Sequence, residues 1–145
     1  MKKKIVFLSI SLIAYISVMF FLLNVLFSIP PSYAFQLTHS EIPKQITLGE
    51  QIEVTGYLTN NQFSINLLIY GSNLIDIFLL ERDEDREFVN LKKDNADLIF
   101  MHGTKKETKI IKPVAKGSYT IFIVASFMIQ DNEYQYSEYA NIDVV

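Results

Sequence analysis

The alternation of apolar and polar residues changes character once along the chain, near residue 34. Before it, Ile5 to Ile29 is a run of 25 residues broken only by small or neutral polar side chains, and no charge follows Lys4 until Glu41. Such a run predicts a helix apolar on all its faces, and about 20 apolar residues are enough to cross a bilayer. After residue 34 the pattern becomes period two, with Val, Ile, Tyr, Phe and Thr between turn residues, which predicts strands. Gln51 to Leu58 places Ile52, Val54, Gly56 and Leu58 on one face. Following a turn at Asn60, Asn61 and Gln62, Phe63, Ile65, Leu67 and Ile69 alternate with Ser64, Asn66, Leu68 and Tyr70, which predicts a hairpin with the preceding strand.

Further strands are expected at Leu74 to Leu80, Asp97 to Met101, Lys106 to Ile111, Ser118 to Ile129 and Gln135 to Val145, with a weaker apolar patch at Phe88 to Leu91. In the last strand Ala140, Ile142 and Val144 face inward. About eight short strands without a helical stretch predict an all-β fold, a two-sheet antiparallel sandwich over residues 35–145, preceded by one N-terminal transmembrane or signal helix in residues 1–34.

Two readings of the N-terminal segment stay open. Its length favours a retained membrane anchor through residues 5–29, because a cleavable signal has an apolar region of roughly 7 to 15 residues. Pro30 and Pro31, followed by Ser32, Tyr33 and Ala34, instead offer a cleavage site after Ala34 and a secreted product. Lys2, Lys3 and Lys4 place the N terminus in the cytoplasm and the domain outside, an extracytoplasmic single-pass arrangement. Ser17, Asn24 and Ser28, spaced by 7 and 4, fall on one stripe that could hydrogen-bond a neighbouring helix.

Four segments carry a family resemblance. Gly117-Ser-Tyr-Thr-Ile-Phe-Ile-Val-Ala125 with Asn141-Ile-Asp-Val-Val145 resembles the last two strands of immunoglobulin-like modules of microbial surface proteins, and Leu48-Gly-Glu-Gln-Ile-Glu-Val-Thr-Gly56 resembles an early strand of the same modules. The middle, Leu74-Ile-Asp-Ile-Phe-Leu-Leu80 before a charged loop and Phe88, is closer to GOLD-like sandwiches, although Ala125-Ser126 stands where those domains usually carry an Asn. The resemblance implies an extracytoplasmic β-sandwich module and no particular ligand.

Composition narrows the chemistry. With no cysteine, the chain has no disulfide framework, thiolate metal site or cysteine nucleophile. From Phe35 onward 10 Lys and Arg stand against 16 Asp and Glu, a net of −6, which disfavours nucleic acid as a partner. His39 and His102 are the two histidines and form a candidate copper or zinc pair, without any His-x-His spacing. The run Glu81 to Glu87 offers hard oxygen ligands for calcium, Asp83 and Asp85 among them, but Arg82 and Arg86 neutralise it internally. Ser118 lies in no nucleophile-elbow frame, and no cofactor is expected.

The contact candidates are aromatic. Tyr134, Tyr136 and Tyr139 cluster near the last strand, and tyrosine supplies both area and hydrogen bonds at interfaces. In the strand Ser118 to Ile129, Tyr119, Ile121, Ile123 and Ala125 share one face, and a second apolar set, Phe122 and Val124 with Phe127 and Ile129, is assigned to an outer contact surface unless the loop of residues 81–95 covers it. The function expected from these features is a non-catalytic module for protein binding or assembly. The alternatives are a single-span accessory subunit of a membrane complex and a metal-carrying protein using His39 and His102.

Overall fold

The computed structural model describes residues 2–81 and 93–145, with the side chains of the N-terminal helix described for residues 9–24. Helix α1, Lys2–Phe27, contains no Gly or Pro and ends three residues before Pro30. Nine strands follow among the described residues: β1 Phe35–His39, β2 Gln45–Ile46, β3 Ile52–Asn60, β4 Asn66–Tyr70, β5 Ile75–Glu81, β6 Asn95–Ile99, β7 Thr104–Ile111, β8 Gly117–Ile129 and β9 Asn132–Val144. The sequence reading missed β1 and β2, which are short and sit between turn residues. Its patch at Phe88 to Leu91 lies outside the described residues.

The strands form two sheets. One has the order β1-β3-β7 and is antiparallel throughout. The other runs β2-β9-β8-β4-β6, with β5 also paired to β8, and only the short β2–β9 contact is parallel. The expected hairpin between β3 and β4 does not form, because the two strands belong to different sheets and the chain crosses from one layer to the other at Asn60.

The sheets close on one apolar core containing Val54 and Leu58 from the first and Leu68, Ile121, Ile123, Phe127 and Ile142 from the second. They approach closely at Gly56, where an added Cβ would lie 2.8 Å from Ile75 Cγ2 and 3.0 Å from Ile123 Cγ2. The two layers therefore meet over a position with no side chain, as in a packed sandwich. The predicted inward set on β3 holds, with Ile52, Val54, Gly56 and Leu58 buried; on β9 Ile142 and Val144 are buried and Ala140 is half-buried.

One correction concerns location. Among the described residues no helix is long and apolar enough to cross a membrane. The single-pass membrane placement, with a cytoplasmic N terminus and an extracytoplasmic domain, is not supported. The stripe on α1 changes as well. Ser28 lies beyond the helix end, and Asn24 Nδ2 donates to Phe20 O at 2.8 Å within its own helix, leaving Ser17 as an exposed side chain.

Candidate functional site

The surface that departs most from the sequence pattern is the outer face of β4 and β6. On β4 the polar set points in: Ser64, just ahead of the strand, Asn66 and Leu68 are buried. The apolar set points out, with Leu67 49% exposed and Ile65 and Ile69 half-buried. Leu67 lies opposite Leu98 of β6, itself 45% exposed, and beyond them stand Phe100 at 58% and Phe63 at 65%. These four side chains expose on the order of 400 Å² of apolar surface, within the range of the largest patch on a typical monomer, which is often functional.

A buried asparagine explains why polar residues are tolerated inside. Asn60 is 0% exposed; its Nδ2 donates to the carbonyls of Ser64 (2.9 Å) and Phe100 (3.2 Å), and its Oδ1 accepts from the Gln62 amide at 3.0 Å. Asn66 Nδ2 donates to Ser64 Oγ at 2.9 Å. Each buried amide thus has partners, the condition under which burial is not penalised. Through these bonds one side chain ties the backbone beside Phe63 to the backbone of Phe100. The turn after Phe100 is closed by Gly103 N donating to Phe100 O, with His102 in the left-handed region (φ 54°).

One edge of the larger sheet adjoins this face. Among the described residues β6 pairs with β4 on one side only. The amide of Leu98 donates to Asp97 Oδ1 at 2.8 Å, and Lys105 Nζ of β7 donates to Asp97 Oδ2 at 2.5 Å, so one carboxylate spans the edges of both sheets. Hydrogen bonding from Lys105 holds the Asp97 carboxyl below the usual carboxylate range.

The tyrosine cluster has a different role from the one expected. Tyr134 is buried and its hydroxyl donates to Pro30 O at 2.5 Å; the Tyr136 hydroxyl donates to Ser32 O at 2.6 Å. Their rings pack with Phe35 and Phe127, Tyr134 stacking on Phe127 at 5.5 Å and Phe35 meeting Phe127 edge-on at 5.1 Å. Burial raises the Tyr134 phenol above its ordinary value and pushes Tyr136 up to about 12, with neighbouring Tyr134 adding to the rise. These two tyrosines clamp the segment after α1 onto the sandwich, and Tyr139 alone of the three is exposed.

Phe127, assigned from the sequence to an outer contact surface, is completely buried. It shares the odd-numbered face of β8 with Tyr119, Ile121, Ile123, Ala125 and Ile129, all buried. Phe122 does face outward, half-buried, in a cross-strand row between Phe78 of β5 and Tyr139 of β9, while Val124 and Met128 on the same outer face are buried.

The histidines are not brought together. His39 pairs with Gly56, whereas His102 precedes Gly103, whose carbonyl accepts from Asn60 N. Gly56 and Asn60 are about 13 Å apart along β3, and β1 and β7 flank β3 on opposite sides, so a shared ion with bonds of roughly 2 Å is out of reach. His39 Nδ1 instead lies 2.7 Å from Ser40 O. Asp83 and Asp85 lie outside the described residues, and among the described residues no group of three His, Cys, Asp or Glu is placed to hold a metal. Ser118 Oγ donates to Asp143 Oδ1 at 2.6 Å in an exposed cross-strand pair.

No protein-family model matches the chain, and no curated protein matches it. Among solved structures it is similar to the ASH/PapD-like domain 7 of human CEP192, with 17% identity over 81% of this chain and 89% of that one and a TM-score of 0.46. A β-glucosidase from Listeria innocua gives 17% identity over 76% of this chain and a TM-score of 0.48, but the match spans only 16% of the glucosidase. The sporulation control protein Spo0M of Bacillus subtilis gives 15% identity over 77% of this chain and 49% of its own length, with a TM-score of 0.47. Values this low transfer no activity, partner or location to the present chain.

Proposed function

We propose that the sandwich is a non-catalytic protein-interaction module that takes its partner on the outer face of β4 and β6. One observation carries the reading: Leu67 and Leu98, paired across the two strands, expose about half of their surface beside the more exposed Phe63 and Phe100. A fully bonded buried asparagine supports this face, so its geometry is fixed before a partner arrives and little ordering entropy opposes binding. Aromatic and aliphatic anchors on a rigid frame are what interface hot spots are built from.

A photo-reactive phenylalanine analogue at position 100 of the full-length chain, in its native cells, tests the reading. The expected result is one discrete adduct that disappears when Leu67→Ser and Leu98→Ser are introduced together, with no adduct from the same analogue at exposed position 114. An adduct that persists in the double variant, or none at position 100, overturns the proposal.

A further inference from the structure

The residues from Ala96 to Met101 read Ala-Asp-Leu-Ile-Phe-Met, a six-residue window of strand-forming apolar side chains with a single charge. Among the described residues its strand, β6, has no partner on its outer edge; such a window on an edge is a template for adding a strand from another molecule, and natural sheets guard it with a charge. Here the guard is more specific than a repelling charge. The Asp97 carboxylate accepts the amide of the next residue, Leu98, and is itself held by Lys105 from the edge strand of the other sheet.

The geometry points to Asp97 and Lys105 as an edge lock: the carboxylate occupies the Leu98 amide so that β6 of a second copy of this chain cannot pair with β6. A second copy is the competitor because edge pairing between identical strands is isologous and needs no other sequence. An incoming strand would have to displace the carboxylate from the Leu98 N–H and strip it from Lys105. It would also bring a second Asp97 toward the first, since an antiparallel pairing centred on this residue sets the two directly opposite. The face of β4 and β6 is left open while its edge is closed, so the lock holds whether or not that face binds a partner.

The absence of cysteine makes the test clean. The full-length chain carries Ala96→Cys on exposed β6, or Val114→Cys in an exposed loop as a remote control, and is treated with a short bis-maleimide. Replacing Asp97 by Ala is expected to raise the cross-linked dimer at position 96 by about fivefold, the population change of roughly 1 kcal/mol, and to leave position 114 unchanged. Asp97→Asn, which keeps an oxygen acceptor for the Leu98 amide, is expected to give a smaller rise than Ala. Equal dimer with and without Asp97, or an equal rise at both positions, overturns the lock. Should Asp97→Ala lose its β-type circular dichroism, Lys105→Met is the deciding variant: a rise confined to position 96 supports the lock, and no rise overturns it. Failure here leaves the photo-adduct at position 100 unaffected, so the two proposals fail separately.

Discussion

The hydroxyl of Tyr134 donates to the carbonyl of Pro30 across 104 residues of sequence, joining the segment that follows α1 to the last strand of the sandwich. Beside it Tyr136 does the same for Ser32, Ala34 is fully buried, and Asn61 N donates to Ala34 O. Tyr134→Phe keeps the ring stack on Phe127 but strands a buried carbonyl. The expected loss is about 1–3 kcal/mol in chemical denaturation of the full chain, larger than for Tyr136→Phe, whose acceptor Ser32 is an exposed residue while Pro30 is buried.

The same clamp makes stability fall in strong alkali. Both phenols are kept neutral in the folded state by burial, so their pKa values lie above the ordinary value of about 10, Tyr136 at about 12. A group whose folded pKa is raised contributes fully below the unfolded pKa and loses that contribution as pH rises through the folded one. Stability is therefore expected to drop between about pH 10 and pH 12. Tyr134→Phe with Tyr136→Phe should flatten that limb, and tyrosinate absorbance should show two of the 8 tyrosines ionising late.

Gly56 sets the spacing of the layers. Gly56→Ala places a methyl 2.8 Å from a branch methyl of Ile75, a stiff atom that cannot swing away. Overpacking of this kind costs about 1–3 kcal/mol. Combining it with Ile75→Leu, which removes that branch methyl, is expected to recover part of the loss in the denaturation midpoint.

Asn60 is the buried polar residue on which the exposed face depends. Asn60→Leu takes the donor from the buried Ser64 carbonyl, while the Phe100 carbonyl keeps the Gly103 amide, at an expected cost of about 1–3 kcal/mol. The variant should also lose the position-100 photo-adduct at a temperature where it is still folded by circular dichroism. A stable Asn60→Leu with undiminished adduct would show that the frame is dispensable.

Period-two reading located most strands because residues such as Ile52, Val54 and Leu58, or Ile142 and Val144, alternate with polar neighbours and leave one choice of inner face. On β4 it assigned no inner face, for a physical reason. Both alternating sets there contain apolar residues, and the inner set carries Ser64 and Asn66, whose burial is made affordable only by bonds within that pair and to Asn60, a residue of the preceding strand. Those bonds depend on the chain crossing between sheets, which periodicity does not encode. The candidate site was missed with them. Phe127 was a simpler error: it lies five residues from Phe122, an odd step, and in an unbulged strand an odd step changes face.

That parity gives the sharpest contrast between core and surface. Phe127 is enclosed between the sheets against Phe35 and Tyr134, so Phe127→Ser removes a buried ring and inserts a hydroxyl among apolar neighbours. The loss expected from the ring alone is about 3–5 kcal/mol, enough to unfold a domain of ordinary stability. Leu67→Ser with Leu98→Ser changes two side chains already half in water, and stability is expected to move by about 0.5 kcal/mol or less per site. Denaturation midpoints of the two variants, read beside the photo-adduct, separate folding from binding. If the Leu67 and Leu98 pair proves as destabilising as Phe127, those leucines are core that the outer face merely reveals, and the contact surface must lie elsewhere. If the pair folds like the parent and the adduct is gone, the two leucines are held in place by the sandwich for a partner and contribute little to its stability.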